Sequence, residues 1–457
     1  MAKATPSSTS ANGPEVRQIL DMNAFDAECE EIEDDMLVRR RQANVGAASV
    51  LFYQRPIEMV GAKGAWMEAV DGRRYLDFYN NVPSVGHSHP RVVDAISRQI
   101  TRLNTNTRYL NQNTERYLEA LKARLPAPLS NVMLACSGSE ANDLAMRVAM
   151  KATGASGFVV TETAYHGNTH LVIQASPSSY KKGRPPQFIE TVPAPSMIVY
   201  GTGIANGFAK DVADAIARLK RRKCGFAGFI CDSIFSSDGV FPDPTGFLVS
   251  AVEAVHAAGG LYIADEVQPG FARTGETFWG FARHGVEPDI VTMGKPMGNG
   301  FPMSGMVTQP ELLEAFCEDF GYFNTFGGNP VAAAAGMAVL DVIADEDLMG
   351  NACRVGAHLM SRLGELARHQ PRIAAVRGAG LFLGVDLSLP DAPDCPDPDL
   401  ATRVINGLKD RGVLIGAAGK YGHTLKLRPP LCLSENEADF FTDAFGETLT
   451  ECGRSGN

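Results

Sequence analysis

Much of what bounds this 457-residue chain is what it lacks. Its nine cysteines include no C-x-x-C pair and are odd in number, which fits free thiols in a reducing compartment better than a disulfide framework. No uninterrupted apolar run is long enough to span a bilayer, and the opening MAKATPSSTSANGPEV has no apolar h-region. The expectation is a cytoplasmic protein without a membrane partner. Positive charge is in deficit: 42 lysines and arginines against 52 aspartates and glutamates give a net charge of −10. That argues against a general polyanion binder, and no nucleic-acid partner is expected. The one basic cluster, RLKRRK at 218–223, reads as the charged end of an amphipathic helix, DVADAIARLKRR. Familiar catalytic motifs are missing as well. There is no G-x-x-x-x-G-K-[ST], no G-x-G-x-x-G after a strand, no H-E-x-x-H and no G-x-S-x-G.

What remains is an ordinary globular composition, 45% hydrophobic and 21% charged, on a chain too long for one core. Residues 1–15 are small and polar and read as a disordered tail. Residues 16–85 read as an N-terminal segment that packs with the small domain. It begins with an acidic helical stretch, VRQILDMNAFDAECEEIEDDMLVRRR, followed by short strands with a hairpin turn at Asp71-Gly72. From about residue 90, helical patterns alternate with short apolar runs: VMLAC, GFVVTE, FAGFICD, LYIAD and DIVTM. Such alternation predicts an α/β fold with a mostly parallel sheet covered by helices, here a large domain over 86–335. Residues 336–457 have the size of a smaller α/β C-terminal domain, with strands at RGAGLFLGVDL and HTLKLRPPL and a Pro/Asp loop at PDAPDCPDPDL.

Two strand ends carry unusual side chains. LYIAD ends in Asp265, followed by Glu266, and DIVTM is followed by Gly294-Lys295. Open α/β sheets place ligand contacts at the carboxyl ends of their strands, so an acid and an amine could face one ligand there. A structural ion pair is the competing reading. A third element is the strand–turn–helix VMLACSGSEANDLAMRVAM. Ser137 and Glu140 have capping-box spacing, Gly138 permits close backbone approach, and the free N–H groups of the helix start form an anion site. Together the three elements suggest a ligand with a carbonyl, a basic nitrogen and a phosphate, and pyridoxal phosphate has all three. No metal site is expected: His166 and His170 in AYHGNTH are separated by loop residues, and His87 and His89 shape a turn before Pro90.

On these residues the chain resembles the class III aminotransferases among the fold-type I pyridoxal-phosphate enzymes. The resemblance runs from about 55 to 445, and its most specific segments are ADEVQPGFARTG at 264–275 and PDIVTMGKPMGNG at 288–300. It implies pyridoxal 5'-phosphate as cofactor, with Lys295 as Schiff-base lysine and proton shuttle. Asp265 would pair with the pyridinium nitrogen, and Gln268 would lie near the ring's 3'-oxygen. Gly138 and Ser139 would bind the phosphate, Tyr165 would stack on the ring, and His166 would be its neighbour. Thr325 would reach the phosphate of a partner subunit, which implies a homodimer with shared active sites, open to further pairing as a tetramer.

The chain also departs from the family pattern. The carboxylate-binding arginine before Pro-Pro is matched by Lys426, with Arg428 two residues on, and a glutamate that pairs with that arginine is matched by Asp232. Lysine lacks the planar fork that grips a carboxylate, so α-carboxylate recognition is not implied. NNVPSVGHSHP, RLNTNTRYL and EDFGYFNTFGGNP are most similar to the alanine–glyoxylate aminotransferase 2-like and phosphoethanolamine phospho-lyase subgroups. Arg108, Lys426 and Arg428 are then candidates for a substrate carboxylate or phosphate. The expected activity is transfer of an amino group from a primary, omega-type amine or amino acid to a small keto acid such as pyruvate or glyoxylate. The alternative is a phospho-lyase acting on an O-phosphorylated amino alcohol.

Overall fold

A computed structural model describes residues 14–19, 21–23, 25 and 35–454. The tail expected over 1–15 lies outside the described residues except for its last two. Among the described residues, the helix expected from residue 16 is found at Met36–Val45, capped by the Asp35 side chain. Residues 26–34 lie outside the described residues, and residues 14–19 are not helical. There, contacts with the distant C-terminal part replace a helical ladder: Arg17 N–H donates to the Lys420 carbonyl, and its guanidinium meets Asp399 at 2.7 Å.

A first sheet orders as β1 (Met59–Lys63), β2 (Trp66–Ala69), β3 (Arg74–Asp77) and β14 (Val413–Leu414). The hairpin between β2 and β3 turns at Gly72, whose φ of +82° an L side chain would rarely adopt. β14 runs parallel to β3, so the N-terminal segment is hydrogen-bonded to a strand more than three hundred residues downstream, at Leu76 and Val413.

The large sheet holds seven strands: β4 (Asn131–Ala135), β5 (Phe158–Thr161), β6 (Ile189–Val192), β7 (Gly228–Cys231), β8 (Leu261–Asp265), β9 (Ile290–Met293) and β10 (Ser304–Thr308). Their spatial order is β4-β10-β9-β8-β7-β5-β6, and only β10 runs against its neighbours. The runs that looked uniformly apolar are in fact sorted by the two-residue period of a strand. Phe229, Tyr262 and Val291 enter one core with the helix Ile204–Arg221, while Ile230, Ile263 and Ile290 enter another with the helix Gly138–Thr153. A sheet buried on both faces needs apolar residues at both parities, hence the unbroken runs.

The third sheet orders as β11 (Ile373–Ala379), β12 (Phe382–Leu389), β16 (Thr424–Leu427) and β15 (Gly416–Ala418), with β13 (Ala392–Pro396) pairing β12. β13 corrects the expected Pro/Asp loop: Pro393 and Pro396 are tolerated because β13 pairs on one side only, and the helix Pro398–Asp410 follows directly.

Candidate active site

Six of the seven strands of the large sheet share one direction, so their carboxyl ends lie along one edge. That edge collects Ser137 after β4, Thr163 and Tyr165 after β5, Asp232 after β7, Asp265 at the end of β8 and Lys295 after β9. β8 and β9 are adjacent and parallel, with Asp265 opposite Thr292, so Lys295 emerges three residues beyond the partner of Asp265.

The helix start closes against the same point. Ser137 caps the helix and Glu140 returns the hydrogen bond, the capping box its spacing predicted. A Cβ on Gly138 would meet Val267 Cγ2 at 2.9 Å, and one on Gly294 would come within 3.4 Å of the Gly138 backbone. Any larger residue at 138 would crowd the Val267 side chain in the turn after Asp265. The first-turn N–H groups of Gly138 and Ser139 have no partner within a helix and point from its positive end. The loop 165–168 packs here too: Asn168 N–H donates to Ser139 Oγ at 3.1 Å.

Asp265 is 4% exposed. Its Oδ1 accepts from Val267 N–H at 3.0 Å; Oδ2 accepts from Asn142 Nδ2 at 3.0 Å and lies 2.7 Å from His166 Nδ1. His166 Nε2 is buried without a partner among the described residues. Lys295 forms no ion pair with Asp265, so the competing structural-pair reading of these two residues does not hold in this geometry. Burial, then the nearby Arg428 guanidinium, brings the Lys295 amine down to about 8; Asp265 and Asp232 oppose the shift. Tyr165 is half-buried, and burial raises its phenol.

On the far wall, Arg428 Nη1 donates to Gln268 Oε1 at 2.9 Å, and its guanidinium lies 4.7 Å from the Tyr79 ring centroid. Gln268 Nε2 donates to Ser236 Oγ at 2.6 Å, which sets the amide with its oxygen toward the arginine. Asp232 is used by its own turn, accepting from Ser236 N–H and Oγ, both at 2.9 Å, and burial raises its carboxyl. Lys426 is 3% exposed and makes no hydrogen bond or ion pair among the described residues. Burial and the charges of Arg428 and Lys295 hold its amine well below the usual range. Asp232 and Lys426, matched to a paired glutamate and arginine, are therefore not paired to each other.

Two candidate residues lie elsewhere. Arg108 is exposed, its guanidinium 4.1 Å from the Phe323 ring centroid. Thr325 is exposed on the loop 320–329 and hydrogen-bonds to none of the site residues. Around them Leu110 is 95% exposed and Phe326 71%. Asn142, Thr292, Ser236 and Tyr79 belong to the site but escaped the reading of the sequence. Their only signal was a polar residue inside an apolar pattern, Asn142 between Ala141 and Leu144 and Thr292 within IVTM.

These residues fit pyridoxal phosphate: a desolvated amine that forms no ion pair, a buried carboxylate, a histidine nitrogen without a partner among the described residues and the first-turn N–H groups of a helix start at Gly138. The comparisons agree with the fold. Residues 51–449 match the family model Aminotransferase class-III. Alanine–glyoxylate aminotransferase 2-like of Drosophila melanogaster is 37% identical over 439 residues, covering 92% of this chain and 88% of that protein. A phospholyase from Arthrobacter, solved in complex with phosphoethanolamine, is 40% identical and superposes with a TM-score of 0.87, over 91% of this chain and 99% of that one. The PMP-bound aminotransferase of Vibrio fluvialis is 26% identical with a TM-score of 0.80, over 88% of this chain and 94% of that one.

Proposed function

The chain belongs to the class III aminotransferases, pyridoxal-phosphate enzymes of fold type I, and from that premise we propose that it moves the amino group of a primary, omega-type amine or amino acid to a small keto acid such as pyruvate or glyoxylate. The observation that carries this reading is the meeting of Lys295, Asp265 and the Gly138 helix start at one crevice. When bound, the cofactor supplies an electrophilic carbon and an electron-withdrawing ring. The rest is done by the chain. Lys295 Nζ, its amine lowered by burial, would take a proton from the substrate carbon and deliver it to the cofactor's electrophilic carbon. Asp265 would face the ring nitrogen, and Gln268 would lie by the ring oxygen. Tyr165 would cover one ring face with His166 as its neighbour, and the N–H groups of Gly138 and Ser139 would hold the phosphate.

Thr325 serves the phosphate of a partner subunit in a homodimer, a reading supported by the exposed Leu110, Phe323 and Phe326 around it. A cytoplasmic setting belongs to the same reading, supported by free thiols at all described cysteines. So does a division into a large domain over 86–335 and a small one over 336–457, although the helix Pro330–Asp345 runs through that boundary. No helix among the described residues is long and apolar enough to cross a membrane.

One observation favours a second reading. Lys426 and Arg428 are buried basic side chains, the lysine amine and Arg428 Nε both without partners among the described residues. Two such donors suit a dianionic phosphate better than a lone carboxylate. Phospho-lyase action on an O-phosphorylated amino alcohol is supported by them and by likeness to the Arthrobacter enzyme. The test mixes holoenzyme with stoichiometric β-alanine or phosphoethanolamine and no keto acid, following the cofactor absorbance and free phosphate together. A single-turnover loss of the band without phosphate supports transamination. Repeated phosphate release with the band retained replaces it with the lyase.

A further inference from the structure

Asn142 and Thr292 are 1% and 0% exposed, and neither is given a role by the family reading. Asn142 lies on the helix that Ser137 caps, and Thr292 lies on β9 opposite Asp265. A buried amide is costly unless its donors and its acceptor are used. Here they are. Asn142 Nδ2 donates to Asp265 Oδ2 at 3.0 Å and to the His166 carbonyl at 2.8 Å, while Oδ1 accepts from the Thr292 hydroxyl. A flipped amide would set its oxygen against a carbonyl and a carboxylate, so the orientation is over-determined.

The other groups on this carboxylate tie it to nearer structure. Val267 N–H is two residues along the chain, and the His166 ring belongs to a loop whose backbone N–H donates to Ser176 Oγ at 2.9 Å. Among the described residues, Asn142 alone joins the carboxylate at once to the helix whose start faces the phosphate and to the strand that delivers Lys295. All the polar atoms involved lie where water does not compete, so a lost bond is not replaced by solvent.

We propose that Asn142, oriented by the Thr292 hydroxyl, is a positioning residue that fixes the Asp265 carboxylate toward the cofactor's ring nitrogen and keeps it in register with Lys295. This rests on the reading of Asp265 given above. The merely structural explanation is that the pair satisfies two buried polar groups and contributes to folding alone. The two explanations differ in what the ring nitrogen experiences.

The experiment uses holoenzyme reconstituted with cofactor labelled with nitrogen-15 in its ring, and reads the ring-nitrogen resonance together with amine half-reaction kinetics. Thr292→Val keeps the branched shape that suits a strand and deletes only the hydroxyl. It should shift the resonance toward the unprotonated form and lower kcat about five- to tenfold, with the amine KM within about twofold. Asn142→Leu should act in the same direction and more strongly, and Thr292→Ser, which restores the hydroxyl, should recover both readouts. Thr308→Val is the control: its buried hydroxyl donates to the Asp289 carbonyl at 3.0 Å on β10, away from the site. It should lower Tm and leave the resonance in place. If Asp265→Asn moves the resonance but Thr292→Val and Asn142→Leu do not, or if Thr292→Ser is as impaired as Thr292→Val, the positioning role is overturned while Asp265 keeps its own. If Asp265→Asn leaves the resonance unmoved, the assignment of Asp265 fails and this inference with it.

Discussion

At the scale of single residues the site depends on desolvated charge. Lys295 is expected to be indispensable: Lys295→Ala should lower turnover by more than about 10⁴-fold, read by steady-state assay of the holoenzyme. Appreciable residual turnover would sink its assignment. The lowered amine also has a stability consequence. Its folded value of about 8 lies below the ~10.4 of a free lysine, so between these pH values the unfolded chain binds a proton that the native chain has released. Stability therefore rises with pH across that window and is at its lowest below it, where both states carry the charge and the native one holds it buried. In cofactor-free protein, Lys295→Met should have the higher Tm at pH 7, and its advantage should shrink toward pH 10. A constant difference across that range would show that the amine is not desolvated in the native state.

At the scale of elements, the strand–turn–helix around Ser137 is the part most exposed to single changes. Ser137→Ala removes the cap and strands the first-turn N–H groups, costing about 1 kcal/mol of stability. Gly138→Ala acts differently. Its added methyl would fall 2.9 Å from Val267 Cγ2, an overpacking of about 1–3 kcal/mol that displaces Val267 or the helix start facing it. Cofactor affinity should therefore fall more than Tm does, by roughly tenfold or more on the same scale, and equilibrium dialysis against the free cofactor would measure it. If Gly138→Ala binds cofactor as wild type does, the cradle reading of this glycine is wrong.

At the scale of the whole molecule, the exposed Leu110 and Phe326 stand next to the Arg108–Phe323 stack and the exposed Thr325. A surface this apolar on a chain of net charge −10 asks for a cover, and the dimer reading provides one. Leu110→Glu combined with Phe326→Asp is expected to yield monomers in analytical ultracentrifugation and to lose cofactor with them, because the phosphate would lack its second-subunit contact. Monomers that retain full cofactor occupancy would refute shared sites while leaving the residue-scale assignments untouched.

The sequence by itself determined the parallel strands, the capped helix start, and the placing of Lys295 and Asp265 at strand ends. Each of these is written in local periodicity and in side chains a few residues apart, and backbone sterics read them the same way in any context. It misjudged the stretch from residue 16 and the Pro/Asp segment, where tertiary contacts outweighed local pattern: Arg17 binds the C-terminal part, and β13 accepts its prolines as an edge strand. Only the folded chain decided the hydrogen bonds that set the site. Asn142 meets Asp265 across 123 residues, Thr292 meets Asn142 across 150, and Arg428 meets Gln268 across 160. Periodicity tells which face of an element is buried and not what it is buried against. That is why Asp232 and Lys426 could be matched to a pairing motif in sequence and yet stand unpaired in space.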